Sequence, residues 1–313
     1  MIIEPSVVHG LIAAQFPHWS DLPVEAVGAS GTANAIFRLG ADKAVRLPRT
    51  EGSAADVATE HRWLPLLASR LPFPVPLPLA QGVPDRAFPR SWSVCTWLDG
   101  TNPRPGDGSS ASELLAADLA EFVLALRRID PADAPAAYRS ESLASRDTET
   151  CEALATLDES LDGVLDGSRG GTLDRVLDRA SATAVWHEAV SAEPFTGRPV
   201  WVHGDLQPGN VLVADGRLTA VIDFCCTGLA DPAVDLIAAW YLLSSGARET
   251  FRTAVEADDA TWTRGRGWAL SIALMELAHY RDTNPVMARI AAHVIAEILT
   301  DHSRARVRPS SSP

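Results

Sequence analysis

The chain has 313 residues, of which 46% are hydrophobic and 21% are charged, so it is long enough to bury more than one hydrophobic core. Its formal net charge of −13 argues against a nucleic-acid partner and favours a cationic small molecule. Because the sequence shows no signal-peptide pattern, no long apolar run for a membrane and no metal-ligand spacing among its four cysteines, we expect a cytoplasmic protein with reduced thiols.

The first third of the chain predicts a small antiparallel sheet with one prominent helix. Short apolar segments separated by turn residues predict a β-meander over residues 22–47. An apolar stripe from Val57 to Ala68 predicts a helix over 53–69. The Pro-rich segment LPFPVPLPLAQG is interpreted as a connector, and SWSVCTWLDG as one more strand.

A Pro-, Gly- and Ser-rich segment, TNPRPGDGSS, marks a change in pattern near residue 100. Beyond it we expect helices, interrupted once by the strands PVWVH, NVLVA and LTAVIDF. The predicted helices cover residues 110–128, 149–161, 172–190, 232–244, 247–256, 259–281 and 285–301. We therefore predict an α+β protein with a β-rich N-terminal lobe over 1–98, a larger and mostly helical lobe over 99–308, a frayed tail over 309–313, and a ligand cleft between the lobes.

Polar residues are concentrated before one of these strands, in the segment VHGDLQPGNVLV. His203, Asp205 and Asn210 have the spacing H-x-D-x-x-x-x-N, and Asp223 ends the next strand in VIDF. The same order and spacing occur in the H-R-D-x-x-x-x-N and D-F-G signatures of protein kinases. Because phosphoryl transfer depends on positioning and charge neutralisation, a carboxylate such as Asp205 can align an acceptor hydroxyl and accept its proton. The oxygens of Asn210 and Asp223 suit Mg²⁺.

This segment, together with AVIDFCCTGLADPAVDL and SGTANAIFRLGADKAVRLPR, resembles the aminoglycoside phosphotransferase family, the antibiotic-kinase branch of the protein-kinase-like fold. The resemblance implies a two-lobed kinase-like fold that uses ATP or GTP with Mg²⁺. It also implies that Asp205 is the catalytic base, that Asn210 and Asp223 bind magnesium, and that Asp235 braces the catalytic loop. We expect His203 to hold this loop through hydrogen bonds. Gln207 stands where the family usually has histidine.

Two positions depart from the kinase pattern. Arg46 stands where the strand lysine is expected, and it can grip phosphate oxygens and pair with Glu60 of the predicted helix. The alternative is that Arg46 and Glu60 form an exposed surface pair of little energetic value. Cys225 replaces the D-F-G glycine, which puts the flexibility of that loop in question. A zinc or redox role is the alternative for Cys225 and Cys226.

The nucleotide is expected to contact the small lobe. A turn at 30–32 can offer backbone amides to phosphates. The hinge at 95–98 can pair with a purine edge, although Trp97 is equally compatible with a core position. The candidate nucleotide contacts are Ser30, Gly31, Thr32, Ala44, Arg46, Glu60, Thr96, Trp97 and Leu98.

The acceptor is expected near the catalytic loop on the helical lobe. Glu276, His279 and Tyr280 share one helix face, which suits an acceptor that carries amines, and a solvated helix end is the alternative. The candidate acceptor contacts are Asp205, Asp231, Glu276, His279, Tyr280 and Asp282.

We therefore predict an O-phosphotransferase that moves the γ-phosphate of ATP or GTP to a hydroxyl of an aminoglycoside-like antibiotic, which confers resistance by inactivation. Macrolides, peptide antibiotics, choline, homoserine and sugars stay open as acceptors, because members of the same superfamily phosphorylate them. A protein kinase is disfavoured, since the segment after Asp223 is short for an activation loop. The alternative from another class is a nucleotide-binding pseudokinase. The sequence leaves the nucleotide preference and the oligomeric state open.

Overall fold

A computed structural model describes residues 3–28, 33–104, 113–162 and 178–307. The small lobe contains one antiparallel sheet with the spatial order β1-β2-β3-β5-β4. Its strands are β1 (Val24–Ala26), β2 (Asn34–Leu39), β3 (Lys43–Pro48), β4 (Pro78–Gly82) and β5 (Trp92–Thr96). Its helices are α1 (Pro5–Gln15) and α2 (Glu51–Ala68).

One face of this sheet forms the core of the small lobe with α1. Strand alternation places Val45 and Leu47 of β3 in that core, where both are fully buried beside Leu11 of α1. Arg46 therefore points to the opposite face, towards α2. The sequence pattern thus fixes which side of β3 can serve a ligand.

Helix α2 connects the small lobe to the core of the large one. The Thr50 side chain caps the helix by accepting the Ser53 N–H at 3.2 Å. Near its other end, the Trp63 ring packs edge-on against Trp201 with 5.3 Å between the ring centroids. Trp63 belongs to the large hydrophobic core of the helical lobe, so the position of α2 is set by that lobe.

The large lobe surrounds two short strand pairs with helices. Strand β6 (Val200–Val202) pairs with β9 (Gly228–Ala230), and β7 (Val211–Ala214) pairs with β8 (Arg217–Val221), both antiparallel. The helices are α3 (Glu113–Arg127), α4 (Asp147–Asp162), α5 (Arg179–Ser191), α6 (Ala238–Tyr241), α7 (Ser245–Ala254), α8 (Asp259–Tyr280) and α9 (Pro285–Val307). Helix α8 is buried along most of its length and carries Glu276 near its C-terminal end.

Several sequence expectations need correction. Helix α1 was not expected from the sequence, and the segment interpreted as a connector contains β4, which pairs with β5. The segment predicted as one helix over 232–244 is a 3₁₀ helix over Pro232–Ile237 followed by the short α6, and Asp231 caps its start by accepting the Ala233 N–H at 2.9 Å. Helix α5 begins at Arg179. Residues 172–177 of the helix predicted over 172–190 lie outside the described residues, and so does the predicted tail at 309–313.

The segment that leaves the small lobe is attached to the β7–β8 hairpin. Thr101 and Val213 exchange main-chain hydrogen bonds of 3.1 and 2.9 Å, and the Asn102 amide donates to the carbonyl of Val211 at 3.0 Å. The boundary at residue 98 stays a prediction. In the described part of the chain, no helix combines the length and hydropathy needed to cross a membrane.

Candidate active site

The main chain of the loop between β6 and β7 is held by one buried carboxylate. Asp235 is fully buried and accepts the N–H groups of His203 at 2.9 Å and Gly204 at 2.8 Å. Burial raises the pKa of Asp235, while interactions with His203 and with these two N–H groups act in the opposite direction. Gly204 has a φ of +83°, and a Cβ there would lie 2.7 Å from the Cys226 carbonyl oxygen, so only glycine fits the turn.

His203 links the two loops of the site. Its Nδ1 accepts the Asp205 N–H at 3.2 Å, so the ring hydrogen lies on Nε2, which donates to the Ile222 carbonyl at 3.1 Å. The ring packs edge-on against Phe224 with 4.7 Å between centroids. With both nitrogens engaged and the residue fully buried, His203 holds the geometry of the loop.

The Asp205 carboxylate lies at the mouth of this loop with about one fifth of its side chain exposed. Its Oδ2 accepts from Asn210 Nδ2 at 2.8 Å, and its Oδ1 accepts from Gln207 Nε2 at 3.1 Å. The Arg139 Nη1 also lies 3.1 Å from Oδ1, and it donates to the Gly204 carbonyl as well. The carboxylate is therefore held in one orientation and faces the cleft.

The residues expected to bind magnesium lie at the same end of the β7–β8 hairpin. The Ile222 N–H donates to the Asn210 carbonyl at 2.9 Å, which places Asn210 beside the loop that carries Asp223. Because Asn210 Nδ2 donates to both the main-chain oxygen and Oδ2 of Asp205, the amide oxygen of Asn210 is directed away from Asp205. Asp223 has a φ of +63°, and Arg46 binds only one of its oxygens. One amide oxygen and one carboxylate oxygen thus remain for a hard cation, which fits Mg²⁺ shared with substrate phosphates.

Arg46 connects the small lobe to Asp223. Its Nη1 lies 2.7 Å from Oε1 and 2.8 Å from Oε2 of Glu60, and its Nη2 lies 2.9 Å from Oδ1 of Asp223. Arg46 is 12% exposed and Glu60 5%, so the pair is buried and not a surface pair. Burial lowers the pKa of Arg46, but the two carboxylates outweigh it, so the pKa is raised and the guanidinium stays charged.

Glu276 is the acceptor candidate that directly joins the catalytic loop. Its Oε1 accepts from Gln207 Nε2 at 2.8 Å, and its Oε2 accepts from the Tyr241 hydroxyl at 2.9 Å. Since the Gln207 amide donates to two carboxylates, it connects Glu276 to Asp205. Burial raises the pKa of Glu276 from 4.5 to about 7, although the hydrogen bonds from Gln207 and Tyr241 lower it.

The other acceptor candidates lie differently. Asp231 is bound to Arg264 through Oδ2 at 2.8 Å and caps the following 3₁₀ helix, so its carboxylate is occupied within the chain. His279 and Asp282 are exposed, and Tyr280 stacks edge-on with His279 at 4.6 Å. No hydrogen bond among the described residues links these three side chains to the Asp205 loop.

The hinge offers fewer free donors than expected. The Thr96 N–H donates to Leu77 O at 2.9 Å, and the Trp97 N–H donates to Asp42 O at 2.8 Å. The Trp97 ring is partly buried beneath the Arg38 guanidinium, 4.9 Å from its centroid. Ala44 is buried on β3 beside Cys95, and Leu98 at the end of the hinge is partly buried. Ser30, Gly31 and Thr32 lie outside the described residues.

Cys225 and Cys226 are both reduced, with 3.7 Å between their sulfur atoms. The hydrogen bond between the two thiols, burial and the nearby carboxylates raise the pKa of Cys225. Within the described ranges, His, Cys, Asp and Glu side chains form no metal-binding cluster of three or more.

Sequence reasoning missed Arg139 and Tyr241. Both contact the catalytic cluster directly, but each is far from it along the chain. Arg139 follows an irregular segment in which Ala136 bridges to Leu229 of β9. Only tertiary structure brings these residues to the site, and the sequence contains no local signal for them.

Comparison with known proteins agrees with this geometry. The model of the phosphotransferase enzyme family matches residues 26–268. No curated protein matches the chain. Among solved structures, the GDP complex of wild-type aminoglycoside 2'-phosphotransferase-IIIa has a TM-score of 0.69 and 18% identity, and covers 96% of this chain and 100% of its own. The apoenzyme of a macrolide 2'-phosphotransferase from Brachybacterium faecium has a TM-score of 0.58 and 20% identity, and covers 93% of this chain and 98% of its own.

These structural matches confirm the predicted two-lobed, protein-kinase-like fold. The family model spans the sheet, α2, the catalytic loop and most of the helical lobe. The chain therefore belongs to the phosphotransferase enzyme family, as its resemblance to the aminoglycoside phosphotransferases predicted, and it is a small-molecule kinase.

Proposed function

We propose that this chain transfers the γ-phosphate of ATP or GTP to a hydroxyl group of an aminoglycoside-like antibiotic and so inactivates it. The observation that carries the proposal is the clamped Asp205 carboxylate beside Asn210, with Asp223 held by Arg46 at the end of the same hairpin. Together these groups can align an alcohol, hold phosphates and neutralise their charge.

The nucleotide is assigned to the cleft between Arg46 and the hinge. Solved structures with the same fold were determined with GDP or ADP, which supports nucleotide binding here. Asn210 and Asp223 would hold Mg²⁺. The ion would supply positive charge to neutralise the phosphates during transfer. Arg46 stays cationic and adds a fixed positive charge beside Asp223.

The acceptor is assigned to the surface around Asp205 and Glu276. Relatives with the same fold are aminoglycoside phosphotransferases, including complexes with kanamycin and gentamicin. Glu276 supports an acceptor with an amino group, because an ammonium ion stabilises the ionised form of a carboxyl whose pKa burial has raised to about 7. The net charge of −13 acts in the same direction.

The test is magnesium-dependent nucleotide consumption by the purified protein across aminoglycosides, macrolides, cationic peptide antibiotics and small alcohols. We expect turnover with aminoglycosides, and Asp205→Asn should abolish it while nucleotide affinity changes less than a few fold. The variant removes a charge but keeps the size of the side chain, and its retained nucleotide affinity shows that it is folded.

Other outcomes discriminate between the alternatives. Turnover only with a macrolide or another alcohol would show that the chain is a phosphotransferase with an acceptor other than an aminoglycoside. Nucleotide binding without turnover for any acceptor would favour the pseudokinase, against which the intact Asp205, Asn210 and Asp223 argue. Full activity of Asp205→Asn would refute its role as the base.

A further inference from the structure

A buried guanidinium contacts the proposed catalytic base. Arg139 is 12% exposed, and its Nη1 lies 3.1 Å from Oδ1 of Asp205 and also donates to the Gly204 carbonyl. Burial lowers the pKa of Arg139, but Asp205 and neighbouring groups outweigh it, so the pKa is raised. The base therefore lies beside a permanent positive charge.

The main chain holds Arg139 in this position. The Ala137 N–H donates to the Leu229 carbonyl at 3.1 Å, and the Tyr138 N–H donates to the Cys226 carbonyl at 3.1 Å. These bonds attach the segment to β9 and to the loop that follows Asp223. The guanidinium also lies over the Tyr138 ring, 5.6 Å from its centroid. The backbone just before Arg139 is thus held by two hydrogen bonds, and this fixes the position from which Arg139 reaches Asp205.

The contacts of Asp205 distinguish its two oxygens. A carboxylate oxygen offers two lone-pair positions. Oδ1 accepts a hydrogen bond from Gln207 at 3.1 Å and forms an ion pair with Arg139 Nη1 at 3.1 Å, so the space around this oxygen is taken by an amide and a guanidinium. Oδ2 receives only the Asn210 amide at 2.8 Å among the described residues, which leaves one position. That position is on the side of Asn210, where the phosphates are expected.

We propose that Arg139 is a positioning residue: together with Gln207 it occupies Oδ1 of Asp205, so that Oδ2 is the atom that receives the acceptor hydroxyl. The inference rests on the proposed function. In the transfer step the acceptor oxygen forms a bond to the γ-phosphorus of the nucleoside triphosphate, and its proton passes to Oδ2. The bond between the γ-phosphorus and the bridging oxygen breaks, and its electron pair leaves with the nucleoside diphosphate.

The test compares Arg139→Ala and Arg139→Lys with the wild type under saturating nucleotide. We expect Arg139→Ala to lower kcat by about 10²-fold, the effect of misplacing a catalytic group by about 1 Å, while the acceptor KM and the nucleotide Kd change less than a few fold. Arg139→Lys should have a kcat between those of the wild type and Arg139→Ala, because an ammonium group keeps the positive charge but lacks the planar set of donors of a guanidinium. Added guanidinium ion should restore part of the kcat of Arg139→Ala.

A matched control separates positioning from folding. Arg266 of α8 is also a buried arginine with a carboxylate partner, Glu188 at 3.0 Å, and no ion pair or hydrogen bond among the described residues joins its side chain to the Asp205 loop. Arg266→Ala should lower Tm without lowering kcat. The proposal is overturned if kcat of Arg139→Ala equals that of the wild type, if the two alanine variants lose kcat equally, or if guanidinium restores nothing. Absence of transfer by the wild type with every acceptor would refute the proposed function, and this inference with it.

Discussion

Replacing Glu276 by glutamine should change how stability depends on pH. Burial raises the pKa of Glu276 from 4.5 to about 7, so the folded state binds this proton more tightly than the unfolded chain does. Stability from this group is therefore fully present below about pH 4.5 and is lost as pH rises towards 7 and beyond. At 1.36 kcal/mol per pKa unit, the loss reaches about 3 kcal/mol, an upper limit because the side chain is only partly buried.

Glutamine keeps the shape but cannot ionise: its amide oxygen can accept from Gln207, and its NH2 group can donate to the Tyr241 hydroxyl oxygen. We expect the free energy of unfolding of Glu276→Gln, minus that of the wild type, to increase by up to about 2.5 kcal/mol between pH 5 and pH 8, because only the wild type loses stability from this group. The assay is urea denaturation of both proteins at each pH. The difference between the two proteins cancels the titration of all other groups.

Two controls make this measurement decisive. Glu249→Gln removes a negative charge from an exposed position on α7 and corrects for the change in net charge. Tyr241→Phe removes one of the two donors to Glu276, so it should enlarge the pH dependence of the wild-type carboxyl. A stability difference between wild type and Glu276→Gln that is constant over this pH range would refute the reasoning.

Three further predictions concern the supports of the site. Arg46→Met leaves Glu60 buried without its partner and should lower the free energy of unfolding by about 3–5 kcal/mol. The double variant with Glu60→Met should recover most of that stability. Nucleotide affinity, measured by calorimetry, should fall in both variants. An Arg46→Met protein as stable as the wild type would contradict the buried pair. Asp235→Asn replaces one of the two carboxylate oxygens by an NH2 group that faces a main-chain N–H. We expect the free energy of unfolding, measured by urea denaturation, to fall by about 1–3 kcal/mol, and kcat to fall as well. An unchanged kcat would show that the loop does not need Asp235. Trp63→Ala should lower the free energy of unfolding by about 3–5 kcal/mol and weaken nucleotide binding, because α2 loses its contact with Trp201. Lower stability with unchanged nucleotide affinity would show that the packing of α2 does not affect the nucleotide site.

Local sequence patterns predicted the elements that position the catalytic groups. The period of two in β3 correctly separated Arg46 from Val45 and Leu47, because one face of that strand must be buried. The H-x-D-x-x-x-x-N spacing identified one loop whose main-chain conformation is local. These features depend on neighbours in sequence, which is why a single sequence was sufficient.

Other features depend on contacts between distant segments. Strand β4 begins with one proline, Pro78, which is tolerated because β4 lies at the edge of the sheet. Its Pro-rich surroundings resemble a connector. Arg139 reaches Asp205 through an irregular segment without any periodic pattern. Asp231 was expected to contact the acceptor, but its pairing with Arg264 depends on where α8 lies. None of these contacts has a signature within its own segment.

The anchoring of α2 in the core of the helical lobe bears on how this enzyme is controlled. Protein kinases can be switched off by displacing the helix that carries the glutamate partner of the strand cation. Here that displacement would pull Trp63 out of a hydrophobic core that is shared with Trp201. The ion pair between Arg46 and Glu60 is therefore assembled as part of folding. A displacement of α2 that separated Arg46 from Glu60 would therefore also have to break the packing between the two lobes.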